Sequence, residues 1–238
     1  MLVELTVITL GSFFAALVNA AFATGGIYIL LATSSSVFPL AVAIPLQSAF
    51  SFSSLLARIS LFWVHIRWPI VAAFVIGATG GVYFGTHILI SLDEATIALM
   101  LGVLLLTFAW FPRVKWRVPI KHPFFIVGTI HSFISTLFGV GGVLQSAVLR
   151  TNLLKANITG TLAACLISMD ILKITGYVSV GFDYRDYLYH ILLATVAGFT
   201  GAWTGKRLSH RVSEQLFRQV FRWLLTAVAF RMLYRGLM

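Results

Sequence analysis

Long apolar runs separated by short polar segments dominate the chain. The runs lie at about 5–32, 37–64, 68–90, 94–111, 123–149, 156–180, 186–205 and 215–234. A helix needs roughly 20 residues to cross the hydrocarbon core of a bilayer, and each run is close to that length or longer. The pattern therefore predicts an all-α polytopic membrane protein with about eight transmembrane segments.

Two of these runs contain a glycine pair that a continuous helix would not need. Gly25 and Gly26 interrupt the first run, and Gly141 and Gly142 interrupt the fifth. Glycine inside a helix costs about 1 kcal/mol relative to alanine. We therefore expect segments 1 and 5 to be broken at these pairs, with freed backbone N–H groups facing a cavity or a ligand. Close helix packing by small residues is the alternative interpretation.

The two halves of the chain resemble each other. At an offset of 116 residues the two glycine pairs coincide, and at an offset of 120 Gly81 and Gly85 coincide with Gly201 and Gly205. Internal duplication is typical of secondary transporters, which bind substrate between the repeats near the bilayer midplane. The sequence thus predicts an N-terminal four-segment repeat (1–112), a basic interfacial linker (113–122) and a C-terminal four-segment repeat (123–238).

Composition agrees with this class and narrows the chemistry. The chain is 59% hydrophobic and only 10% charged, with a mean hydropathy of +0.96. The net charge of +10 is carried mostly between apolar runs, where the positive-inside rule and anionic headgroups explain it without nucleic acid. A single cysteine and six histidines without ligand spacing predict no metal, cofactor or catalytic site. We expect a multi-pass protein of the cytoplasmic membrane with both termini in the cytoplasm; a homodimer is a candidate assembly.

Three ionisable residues inside apolar runs are candidates for a binding site: Arg58, Asp170 and Lys173. A charge at membrane depth costs about 2.5 kcal/mol or more on insertion scales, so it indicates function by default. Asp170 and Lys173 can pair on one helix face, and the 116-residue offset places Arg58 beside Lys173. We predict that the two cations hold an anion and that Asp170 carries a coupling proton, because burial favours a neutral carboxyl. Simple neutralisation of Asp170 by Lys173, with Arg58 extending to the interface, is the alternative.

Polar side chains also flank the glycine pairs. Asn19 and Ser135 coincide at the offset of 116, and we predict that they line the anion site together with Gln145 and Thr161. His131 is a second coupling candidate because an imidazole exposed to a cavity titrates near neutrality. All of these side chains equally suit helix capping or bonds between helices.

These motifs resemble the sulfite exporter TauE/SafE family. The stretch 138–142, Phe-Gly-Val-Gly-Gly, is similar to the family's glycine stretch, and 155–161, Lys-Ala-Asn-Ile-Thr-Gly-Thr, to the helix start that follows it. Val143 stands where the family has a third glycine, and Ala23 stands where the first half would carry one. The resemblance covers the whole chain as two four-helix repeats. It implies a secondary transporter that exports small sulfur-containing anions, such as sulfite or organosulfonates.

Two other function classes remain open. Glycine breaks and basic residues also suit a passive anion channel. An intramembrane enzyme would need convergent acid–base or metal-binding side chains, which the spacing of the histidines does not indicate. A counterflow assay separates a carrier from a channel, because only a carrier accelerates exchange of labelled substrate.

Overall fold

The computed structural model describes residues 2–22, 25–110, 123–208 and 214–238, which form helices and contain no strand. The basic linker predicted over 113–122 lies outside the described residues. In chain order the helices are α1 (Leu2–Phe22), α2 (Gly26–Val37), α3 (Leu40–Phe62), α4 (Trp68–Ser91), α5 (Glu94–Trp110), α6 (Pro123–Phe138), α7 (Val143–Val148), α8 (Lys155–Ser179), α9 (Leu188–Leu208) and α10 (Glu214–Leu237). Short 3₁₀ turns at Trp63–His65 and Tyr184–Tyr187 follow α3 and precede α9.

The helices follow the predicted apolar runs. Those long and apolar enough to cross a membrane are Leu2–Phe22, Leu40–His65, Trp68–Ser91 and Ala156–Ser179, and shorter apolar helices cover Gly26–Val37, Glu94–Trp110 and Pro123–Phe138. Many large apolar side chains on outer faces are exposed, as lipid-facing positions require. The chain is therefore an all-α, multi-pass membrane protein, and the count of eight crossings stays a prediction.

The helices pair across the two predicted repeats. The most extensive contacts join α1 to α9 and α4 to α6; α5 packs on α10, and α3 packs on α8. The first segment of each half thus contacts the third segment of the other half, and the second and fourth segments contact their own counterparts. Two copies of one four-segment unit related by a twofold axis would pair in this way. The two-repeat organisation stays a prediction that this pairing supports.

Glycines allow the α4–α6 and α1–α9 pairs to approach closely. A side chain at Gly81 of α4 would collide with the Thr129 carbonyl, and one at Gly201 of α9 would collide with the Phe13 carbonyl. Thr129 and Phe13 are 116 residues apart, and the two glycines are 120 residues apart, so both contacts repeat the offsets present in the sequence. These glycines serve helix packing.

We expect Gly81→Ala to lower the melting temperature and Gly80→Ala, one residue away, to leave it unchanged or raise it. The Thr129 backbone oxygen blocks a methyl group at Gly81, and rotation of a side chain cannot relieve that contact. At Gly80 no described atom lies within 4 Å of the added carbon, and alanine has the higher helix propensity. Melting of the purified variants in detergent should show a decrease of about 3 °C or more for Gly81→Ala. Equal melting temperatures would contradict the packing role.

Asp93 and Glu94 stabilise the connections at one end of α3, α5 and α10 with hydrogen bonds and an ion pair. The Asp93 carboxylate accepts hydrogen bonds from the Thr96 N–H at 3.0 Å and the Thr96 hydroxyl at 2.7 Å, and these bonds hold the pKa of Asp93 below its usual value. Glu94 accepts from the Leu40 N–H at 3.0 Å and pairs with Arg235 at 2.6 Å. The start of α3 is therefore tied to both helices of the α5–α10 pair.

Candidate anion site

A side chain of α1 stabilises the first glycine break. Gly25 has φ of 101°, a left-handed conformation that favours glycine, and α2 begins at the next residue. The Gly26 N–H donates to Asn19 Oδ1 at 3.0 Å, and a side chain at Gly26 would collide with the Ala15 carbonyl. Asn19 therefore caps the N–H that the break frees, while Gly26 lets α1 and α2 approach each other.

A narrow crevice opens beside this break. The space that it encloses is about 20 Å³, room for about one water molecule. Among its lining groups are the side chains of Ser12, Asn19, Ser51 and Ser54, together with apolar residues of α1, α2 and α3. The buried Ser12 hydroxyl has no hydrogen-bond partner among the described residues. The crevice is therefore a small polar gap between apolar walls beside the first break.

His131 of α6 stabilises the second break. Gly139 has φ of 71°, and α7 begins four residues later. The Leu144 N–H donates to Nδ1 of His131 at 3.4 Å, so this nitrogen carries no proton in the tautomer that fits the bond. The His131 ring is buried and lies against Gly141. His131 therefore acts here as a helix-capping acceptor, and its coupling role stays a prediction.

Gly142 has a different environment from Gly141. Its φ of −152° is negative, so Gly142 does not have the left-handed conformation that Gly139 has. No described heavy atom lies within 4 Å of the position that a Cβ would take. A side chain at Gly142 would therefore enter open space beside the break, whereas a side chain at Gly141 would collide with the His131 ring.

Two buried charges on α8 connect the surroundings of the two breaks. Asp170 and Lys173 are 5% and 2% exposed. Asp170 accepts a hydrogen bond at 2.7 Å from Ser51, which lines the first crevice. Lys173 donates at 3.4 Å to Ser135, one turn before the second break. Asp170 interacts electrostatically with Lys173 and with the half-buried Arg58, so the structure groups all three predicted charges.

A polar stripe on α3 that ends at Arg58 faces Asp170, and its other members were not recognised in the sequence. Gln47, Ser51, Ser54 and Arg58 follow the spacing i, i+4, i+7 and i+11, which places them on one helix face. Ser51 bonds Asp170, and the Gln47 carboxamide lies against Gly139 of the second break. Polar residues at helical spacing within an apolar run were the signal that would have identified this stripe.

The structure gives the last two predicted residues different surroundings. Thr161 is fully buried and accepts a hydrogen bond at 3.0 Å from the Arg67 N–H, in the connection between α3 and α4. Twelve residues of helix, about 18 Å, separate it from Lys173, so its hydroxyl is not grouped with the buried charges. Gln145 lies on α7, and its buried Oε1 has no hydrogen-bond partner among the described residues.

A polytopic helical bundle with grouped charges and two interrupted helices is typical of membrane transport proteins. Comparison with known families agrees: the model of the sulfite exporter TauE/SafE family matches residues 8–232. The chain belongs to this family, which is a family of membrane transporters. No curated protein and no solved structure matches it.

Proposed function

We propose that the chain is a secondary transporter that exports small sulfur-containing anions, sulfite or organosulfonates, across the cytoplasmic membrane. The observation that carries this proposal is the net charge of the group formed by the buried Asp170 and Lys173 and the half-buried Arg58. Arg58 and Lys173 contribute two positive charges and Asp170 one negative charge, which leaves one positive charge within the bundle. An unbalanced buried charge is costly, and a monoanion bound there offsets it.

Lys173 is the main charge partner of the anion. This ammonium group is 2% exposed and donates to a neutral hydroxyl, Ser135 Oγ. A bound anion would replace that weak partner with a charge-assisted hydrogen bond, which is roughly twice as strong. The anion and the ionised Asp170 compete for the same two cations. Protonation of Asp170 would therefore favour binding of the anion, which is the property that a coupling group needs.

The two glycine breaks supply further donors. In the structure Asn19 and His131 accept from the N–H groups of Gly26 and Leu144. In this proposal an oxygen of the anion replaces Asn19 or His131 as the acceptor for these N–H groups during transport. Gln145, whose amide oxygen has no partner within the described residues, lies beside the second break and completes the polar surroundings.

Counterflow in proteoliposomes tests the transport class. Vesicles preloaded with unlabelled sulfite should accumulate external ³⁵S-sulfite transiently and faster than empty vesicles, because a carrier returns more quickly when loaded. Sulfate, thiosulfate, ethanesulfonate and acetate as competitors define the anion class. Flux of sulfite without any acceleration by internal sulfite would identify a passive channel, and the absence of sulfite flux would overturn the proposal.

A further inference from the structure

The Gln47 side chain is a buried primary amide without hydrogen bonds. Gln47 lies on α3 and is 1% exposed. Neither Nε2 nor Oε1 has a hydrogen-bond partner within the part of the chain that the structure describes. Buried amides in proteins are almost always hydrogen-bonded, because leaving both ends unpaired destabilises the fold. A buried amide with both ends unpaired is therefore a candidate ligand-binding group.

The surroundings of Gln47 place it next to the grouped charges. Its carboxamide lies against Gly139, where an added Cβ would be 2.8 Å from Oε1. Gly139 lies one turn of α6 after Ser135, the hydrogen-bond partner of Lys173. Gly139 is the first residue after α6, and its N–H donates to the Ser135 carbonyl at 2.9 Å. The Gln47 amide and the Lys173 ammonium group therefore both contact the C-terminal end of α6, at positions four residues apart.

Gly139 leaves the space that this arrangement needs. Its positive φ of 71° favours glycine, and any side chain there would press on the amide. Gln47 also continues the polar stripe of Ser51 and Arg58, which faces Asp170. The amide therefore belongs to the same polar region as the charges, although it bonds none of them.

We propose that the Gln47 carboxamide is a substrate-binding and specificity-determining group, an inference that rests on the proposed function. A primary amide offers an N–H donor and a carbonyl acceptor. The donor binds an oxygen of the anion, and the acceptor requires an O–H group on the same ligand. The site therefore selects sulfur oxyanions that carry an O–H, such as hydrogensulfite or a hydroxyalkanesulfonate, over anions of equal charge without one.

The stability of Gln47→Leu distinguishes a ligand-binding amide from a structural one. Leucine has a similar size and removes an unpaired buried donor and acceptor, so the substrate-free variant should melt about 2–4 °C higher than the wild type. A lower melting temperature would show that the amide has a structural partner and would overturn the proposal. Gln47→Met, whose flexible side chain adapts to irregular space, repeats the test if the leucine variant cannot be purified. Failure of both variants to fold also overturns it.

Binding of a matched ligand pair supplies the second readout. Isethionate and ethanesulfonate are monoanionic sulfonates that differ by one hydroxyl group. We expect the wild type to bind isethionate about tenfold more tightly and Gln47→Leu to bind the two equally. Ser53→Ala is the control, because Ser53 is a buried residue of the same helix whose hydroxyl donates to the Thr195 carbonyl at 3.3 Å. This variant should keep the wild-type preference.

The same titration with Lys173→Gln separates the inference from the function on which it rests. If the wild type binds neither sulfonate nor sulfite, the proposed function fails, and the role of Gln47 fails with it. If Lys173→Gln loses affinity while Gln47→Leu keeps the preference for isethionate, the anion site stands and the role of Gln47 is overturned. Loss of affinity in Lys173→Gln, combined with loss of preference in Gln47→Leu, supports both.

Discussion

Substitution of Lys173 by glutamine should abolish anion transport in a protein that still folds. Lys173 is the most buried of the three grouped charges, and glutamine keeps a polar N–H donor there without the charge. Removing one partner of a buried charge pair costs 2–5 kcal/mol or more, so the dissociation constant for sulfite should rise by about 30-fold or more. Isothermal titration and proteoliposome flux measure the two quantities on one preparation.

Two controls separate loss of binding from loss of stability. Lys173→Gln leaves Asp170 with less compensating charge, which destabilises the fold. The double variant Lys173→Gln/Asp170→Asn removes both charges and should regain melting temperature without regaining affinity. Arg185→Gln changes an exposed cation in the connection before α9 and should leave flux unchanged. Wild-type affinity in folded Lys173→Gln would move the anion site elsewhere.

The second large effect concerns Gly142. We expect Gly142→Val to abolish flux while the melting temperature stays close to that of the wild type. The φ of Gly142 is negative, and no described atom would meet the first side-chain carbon of a residue at this position. The valine would therefore fill the open space beside the second break, which is the approach to the charges that we propose for the anion.

Neighbouring positions give matched controls for Gly142→Val. Val143→Ile adds one carbon at a position that already carries a bulky side chain and should be nearly silent. Gly141→Ala places a methyl group against the His131 ring and should lower the melting temperature, because it disturbs the acceptor that caps Leu144. Flux that falls across these variants only in proportion to stability would refute a role for Gly142 in the site.

The candidate site was predicted from sequence where the signal is local. Arg58, Asp170 and Lys173 were recognisable because a charge in an apolar run is costly whatever its neighbours are. The role of Asn19 was less accessible, since a polar side chain near a break can either cap the helix or bind a ligand. Its 3.0 Å bond to the Gly26 N–H shows that it caps the helix in the structure, and a part in anion binding stays a proposal.

Contacts between distant segments could not be predicted. Ser51 and Asp170 are 119 residues apart, and Gln47 of α3 contacts Gly139, which follows α6. Periodicity assigns a residue to a face of its own helix but does not say which helix covers that face. Thr161 illustrates the consequence: it lies in the 155–161 motif at the start of α8, yet its hydroxyl accepts from the Arg67 N–H.

The sequence by itself determined the membrane class, the positions of both helix breaks and the identity of the buried charges. Each of these follows from a local cost: the length of an apolar run, glycine within a helix, or a charge in hydrocarbon. Only the tertiary structure decided that α1 packs on α9 and α4 on α6, and that α3 brings Ser51 to Asp170 and Gln47 to Gly139. These arrangements depend on complementary packing between surfaces far apart in the chain, where glycines admit a neighbouring backbone and larger side chains exclude it.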